Sequence, residues 1–289
     1  VHVAYVTGGT VGVGDLMHGV ALRAAAHRAG STTRVTLVSP PLPFPALRHL
    51  DDHVMVEMRA QTLLNPQTVE QTPLYQALQA LRADVVVVGH FWANVHFVLP
   101  RLDAKAVLLL RKAPPVWVVG PPVAPFSSTR RNYERVFEIE PVGFAGHFER
   151  LPPLVVANRD ELLAAPAARR VLLGDDDDGR PLRLCFQAGV AGEAAMLSRA
   201  EAGWHTVACD LHSATAPWPM APLLDGADEI VTGAGYNAWW ETQWLGVAHK
   251  ARFVPFARSI DDQAWRMALP TTTMTENGAD VLLRLLECG

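Results

Sequence analysis

The 289-residue chain is longer than a typical single core requires and fits two domains of ordinary size. With 49% hydrophobic and 19% charged residues it has the balance of a globular protein, and no tract is strongly biased. A net charge of −4 argues against a general nucleic-acid binder; lysine occurs only at 105, 112 and 250, an arginine preference we read as coding bias. Cys185, Cys209 and Cys288 are odd in number and lack CxxC spacing, so neither a disulfide nor a structural zinc is expected. The opening VHVAYVTGG reads as a buried strand running into glycine, not as a signal peptide. No apolar run approaches the ~20 residues needed to cross a bilayer. A cytoplasmic protein with no integral membrane segment, monomeric or homodimeric, is expected.

Short apolar runs alternate with helical stretches, the pattern of a largely parallel α/β sheet. Residues 1–7 form a strand, 8–14 a glycine-rich turn and 16–30 a helix closed by Gly30. Strands follow at 33–39 and 53–58, then a helix around 66–82. The run 83–90 (ADVVVVGH) is almost purely β-branched and should be buried on both faces. Runs at 105–111, 116–120 (VWVVG) and 134–141 read as the remaining strands of a first domain. A short helix then leads into GDDDDGRP. Consecutive aspartates cannot all converge on one ion, so this reads as a solvated linker before it reads as a metal site. The second series has strands at 181–189, 204–210, 227–235 and 251–256, with helices at 190–202, 236–246, 260–268 and the C-terminal end. The resulting domains are 1–165 and 181–289, joined by a linker at 166–180. Two such open sheets imply a cleft at their carboxyl ends, where ligands bind.

Three glycine turns could carry chemistry. The strand ending in Gly233-Ala234-Gly235 runs directly into a helix, whose first N–H groups and dipole favour a phosphate. Without Cβ atoms, Gly233 and Gly235 would let a diphosphate approach closely. Glu241, six residues beyond Gly235, could reach the hydroxyls of an attached ribose or could be an exposed helix charge. Trp239 and Trp240 stand about 100° apart on that helix. Both could pack in the core, or one could line the cleft. The first turn, Gly9-x-x-Gly12-x-Gly14, has the wrong order for a dinucleotide fingerprint, and the second strand ends in LVSPP with no acid. There is no Gly-Lys-(Ser/Thr) for a P-loop either. What remains is a loop that presents Asp15 at a helix N-terminus, where it could simply be a cap. In the third turn, Gln187, Gly189 and Gly192 are candidates by position. His90 and Asn94 follow the most buried strand, although His90 could equally be a satisfied core histidine.

From Ala227 to Gln263 the chain reads Ala227-Asp228, Gly235, Asn237, Glu241, Gly246, Val254-Pro255-Phe256 and Asp262-Gln263. The order and gaps resemble the C-terminal domain of GT-B glycosyltransferases, in particular the peptidoglycan N-acetylglucosaminyltransferase group. One departure is Ala248, where that group usually has proline. The N-terminal GDLMHGVAL resembles instead the G-D-x-x-H-x-x-P-A-L of heptosyltransferases, also GT-B, which use the aspartate as base. Asp15 then stands where other inverting members carry histidine, and His18 where they carry arginine. The resemblance implies an α/β fold of two Rossmann-like open parallel sheets facing a cleft. It implies an inverting, metal-independent hexosyltransferase acting on a nucleoside-diphosphate sugar, UDP-type favoured, and a small-molecule or glycan acceptor. Asp15 would be the base, with His18 orienting it or touching phosphate. Gly189, Gly233, Gly235, Tyr236, Asn237, Glu241, Asp262 and Gln263 would hold the donor. Gly12, Gly14, His90 and Asn94 would face the acceptor. No cofactor and no D-x-D metal motif is implied. A nucleotide-sugar hydrolase of the same architecture, or a binding module without catalysis, fits the same residues, although the hydrolase's G-x-G-H-x-x-R loop is absent.

Overall fold

The computed structural model describes all residues except 9–12, 48–49, 144–145, 147, 188, 191, 214–215, 271–273 and 289, and the side chains of 46, 116 and 118 also lie outside it. Of the candidates above, Gly12 falls outside the described residues. The chain divides into two units: Val1–Leu42, Asp51–Leu154 and Gly278–Gly289 form the first, and Pro43–Leu50 with Val155–Asn277 form the second.

The first unit is built on seven strands: β1 (His2–Val6), β2 (Arg34–Ser39), β3 (His53–Met55), β4 (Val85–Val88), β5 (Lys105–Leu110), β6 (Arg135–Glu138) and β7 (Glu149–Arg150). They pair in the order β3-β2-β1-β4-β5-β6-β7, every pair parallel. The four valines of β4 are all buried, as expected of a central strand covered on both faces. Its register places Val3 beside Val85 and Val6 beside Val88. The strand order reverses between β1 and β4, which leaves a crevice at their carboxyl ends. The helix Leu16–Arg28 follows β1 and is buried around most of its first three turns.

The second unit holds β8 (Leu182–Gln187), β9 (His205–Asp210), β10 (Glu229–Gly233) and β11 (Ala251–Val254) in the order β11-β10-β8-β9, again all parallel. Here the order reverses between β8 and β10. Two glycine turns, after Gln187 and after Thr232, therefore sit at the second sheet's switch point.

Three elements differ from the sequence reading. VWVVG is not a strand but part of a helix, Pro115–Val119. Pro115 occupies a first-turn position, Trp117 N–H donates to Pro114 O at 2.9 Å, and Gly120 ends the turn at φ 73. A short apolar run alone cannot distinguish the two states. The final helix, Gly278–Cys288, belongs to the first unit rather than with 181–289. Its stripe Ala279, Leu282, Leu283 and Leu286 is buried, Arg28 Nη2 donates to Asp280 Oδ1 at 2.6 Å, and Thr33 Oγ1 donates to Glu287 Oε1 at 2.7 Å. The stretch 166–180 belongs to the second unit. The helix Ala165–Leu173 buries Ala168 against Gly226, and Asp177 and Asp178 accept from Arg169, Arg180 and His205. Those aspartates are ion-pair partners of their neighbours. Among the described residues, no helix is long and apolar enough to cross a membrane.

Candidate functional site

At the first sheet's switch point, β1 leads through Gly14 to Asp15, and β4 leads to Gly89 and His90. Asp15 is 4% exposed. Its backbone is already helical (φ −77, ψ −35) and its side chain makes no capping bond, so the helix-cap reading is corrected. The carboxylate turns to the neighbouring strand end instead, where Oδ1 accepts from His90 N–H at 3.2 Å. His18 Nδ1 stands 3.5 Å from the same oxygen. His18 itself is buried. Burial pushes the Asp15 carboxyl up, but hydrogen bonding and charge from His18, the Thr7 hydroxyl and the Arg111 charge outweigh it. The net result is a carboxyl held below its ordinary value and ionised at neutral pH. The His90 ring stacks on Trp117 with centroids 5.7 Å apart. Asn94 closes over the end of β1: a Cβ added to Gly8 would stand 2.2 Å from its Nδ2.

Gly89 makes this arrangement possible. A Cβ there would stand 2.2 Å from Asp15 Oδ2 and 2.6 Å from its Cγ. Gly89→Ala is therefore expected to expel the carboxylate and to lower the unfolding free energy by about 1–3 kcal/mol, the range for overpacking a tight site. Urea denaturation reads the loss, and an unchanged midpoint would show that the carboxylate has room to move.

The second edge is lined by backbone. Gly235 is the N-cap of the helix Tyr236–Leu245 and offers no side chain to close its first turn. A Cβ on Gly233 would stand 2.7 Å from Gln187 Nε2, and one on Gly189 would stand 3.5 Å from that same atom. Gly189, Gln187 and Gly233 thus form a continuous line across the ends of β8 and β10. Tyr236 is buried and Asn237 half-buried at the helix start. Glu241 is not a surface charge: it is 6% exposed. Val156 N–H donates to its carboxylate, while Oε1 finds no hydrogen-bond partner among the described residues. Burial pushes its pKa up to about 7. Trp239 packs on Phe253 of β11 at 4.7 Å between centroids, and Trp240 is buried, so both tryptophans belong to the core.

The Asp262-Gln263 segment braces the turn. Asp262 caps the helix Gln263–Met267 by accepting from Trp265 N–H at 3.0 Å. Gln263 Oε1 accepts from Phe256 N–H at 2.9 Å and its Nε2 donates to Asp261 Oδ2 at 3.3 Å. A Cβ on Gly235 would lie 3.9 Å from that Nε2. Arg266, fully buried, donates to Asp261 at 2.6 Å and to Ala234 O at 3.2 Å, which ties this segment to the glycine turn.

No protein-family model matches the chain, and no curated protein matches it. Solved structures do. Phytolacca americana UGT2, complexed with UDP-2fluoro-glucose and pterostilbene, aligns over 99% of this chain and 89% of its own at 12% identity and a TM-score of 0.53. The spinosyn rhamnosyltransferase SpnG, complexed with thymidine diphosphate, aligns over 88% and 80% at 16% identity and a TM-score of 0.50. Acinetobacter baumannii MurG aligns over 99% and 90% at 16% identity and a TM-score of 0.49. The chain has the GT-B fold.

Within this GT-B chain the expected residues fall into two groups. Asp15, His18, His90 and Asn94 gather at one strand edge, and Gly189, Gly233, Gly235, Gln263 and Glu241 lie on or beside the turns of the other. Asp262 and Gln263, expected to meet a donor sugar, have their side chains engaged inside the protein. The sequence reading passed over Gly89, Glu193, Arg258 and Arg266. Arg258 lies inside the stretch that carried the resemblance, but its partner Glu193 is 65 positions away and left no local pattern. Arg266 lies just beyond that stretch, and its bond to Ala234 O spans 32 positions.

Proposed function

We propose that the chain is a glycosyltransferase that uses a nucleoside-diphosphate sugar, UDP-type favoured. The second unit binds the donor and the first binds a hydroxyl acceptor, a small molecule or a glycan. One constellation carries this reading. A glycine-bracketed turn opens a ten-residue helix at a switch point, and that helix carries Glu241, one of whose carboxylate oxygens has no partner among the described residues. A buried acceptor left unpaired costs about 1–3 kcal/mol, and ribose hydroxyls are donors that would satisfy it. Two structures of the same fold are complexed with thymidine diphosphate and with UDP-2fluoro-glucose and pterostilbene.

The chemistry is a direct displacement with inversion. The Asp15 carboxylate accepts the proton of the acceptor hydroxyl as that oxygen bonds to the anomeric carbon. The bond from that carbon to the diphosphate breaks, and its electron pair leaves with the diphosphate. The glycine turn and the dipole of the Tyr236 helix stabilise that leaving charge without a metal. His18 orients the carboxylate from one helical turn away.

Mass-spectrometric assay of UDP-, GDP- and dTDP-sugars, with and without a library of hydroxyl acceptors, tests this. Transfer that depends on an acceptor supports it. Free sugar formed in buffer alone would instead mark a hydrolase, and binding without turnover a non-catalytic sugar-nucleotide-binding protein.

A further inference from the structure

Two arginines follow β11 on the carboxyl-end side of the second sheet, and they are placed differently. Arg266 is sealed in the interior. The Arg258 side chain stays 21% exposed and lies over the turn after β8, where a Cβ on Gly189 would stand 2.7 Å from its Nη2. Its guanidinium packs against Phe256, 5.2 Å from the ring centroid. Nη2 donates to both carboxylate oxygens of Glu193, at 2.6 and 2.5 Å. The Glu193 side chain is only 8% exposed, and its Oε2 also accepts from Val190 N–H at 3.1 Å. A reachable cation therefore stands at one end of the line Gly189–Gln187–Gly233, held by a buried carboxylate fixed to the turn itself.

We propose that Arg258 contacts the diphosphate of the donor, and that Glu193 and the diphosphate compete for its guanidinium. This rests on the nucleoside-diphosphate reading above. Guanidinium binds carboxylate and phosphate with the same planar fork, so one partner can replace the other without rebuilding the site. Gly189 has no Cβ to separate the fork from an incoming phosphate. Binding then exchanges one ion pair for another, and Glu193 tunes donor affinity downward.

Calorimetric titration of UDP, GDP and dTDP, each against its parent nucleoside, provides the test. For the diphosphate that the parent protein binds, Arg258→Met is expected to raise Kd by about tenfold or more, because it removes the cation and leaves the Glu193 carboxylate unneutralised beside the phosphate, and to leave nucleoside affinity unchanged. Arg258→Lys, which keeps the charge and guards against misfolding, should fall between parent and Arg258→Met. Glu193→Gln releases the guanidinium and should tighten diphosphate binding. Equal diphosphate affinity in the parent and both Arg258 variants overturns the contact alone. Equal loss for diphosphate and nucleoside shows a structural role and overturns it too. Weaker binding by Glu193→Gln overturns the competition. A parent protein that binds none of the three diphosphates overturns the nucleotide reading itself, and this inference with it.

Discussion

Asp15→Asn is expected to reduce turnover of the donor sugar by about 10²–10⁴-fold, the usual contribution of a general base, while nucleoside-diphosphate affinity stays within about twofold. The substitution is nearly isosteric. Asparagine's oxygen still accepts from His90 N–H, the contact that Asp15 makes at 3.2 Å, so the local backbone has no reason to move. Only the carboxylate proposed to accept the proton disappears. Its pKa lies below the ordinary value, which makes it a weak base that is always ready at neutral pH. Such a base works when the acceptor oxygen loses its proton late, after the anomeric carbon has developed positive charge. Turnover that survives Asp15→Asn would assign the proton to another group. Loss of nucleotide binding in the same variant would mean that Asp15 shapes the protein rather than the reaction.

Glu241→Gln should stabilise the protein at alkaline pH and weaken nucleotide binding. The folded carboxyl titrates at about 7 against an ordinary value of 4.5, because burial penalises the charged form. A carboxyl with a raised folded pKa contributes stability fully below pH 4.5 and loses that contribution as pH rises through 7. Over that window the parent protein loses about 3 kcal/mol from this group, and the neutral amide loses nothing. The variant should therefore match the parent at pH 4 and exceed it by roughly that amount at pH 8 in urea denaturation. Its nucleoside-diphosphate Kd should rise about tenfold if, as proposed, the carboxylate that the amide replaces accepts from the ribose hydroxyls. Stability gained while binding is lost is the signature of a group kept for its ligand. A variant less stable than the parent at pH 8 would place Glu241 in the structural core instead.

The parallel sheets were legible because β4 is an unbroken valine run and because glycines stand at or just after the ends of β1, β4, β8 and β10. Switch points were not, since strand order depends on pairings that no local pattern records. The final helix shows the same limit. Its i, i+3, i+4 stripe says that one face is buried, while membership in the first unit rests on Arg28, Ser31 and Thr33, which lie about 250 residues away. Glu241 was visible through its spacing from Gly235, and its burial was not. Asp15 was visible as a loop acid before a helix, but the partners that decide against a cap, Gly89 and His90, come from another strand. Arg258 and Glu193 escaped for the same reason, being separated by 65 positions in the chain.

The central claim is a nucleoside-diphosphate site in this chain, and thermal denaturation with UDP, GDP and dTDP tests it most directly. A ligand present at about a hundred times its dissociation constant adds roughly 2.7 kcal/mol of stability, so at least one of the three should raise the melting temperature by several degrees. Unchanged melting with all three at millimolar concentration would contradict the account.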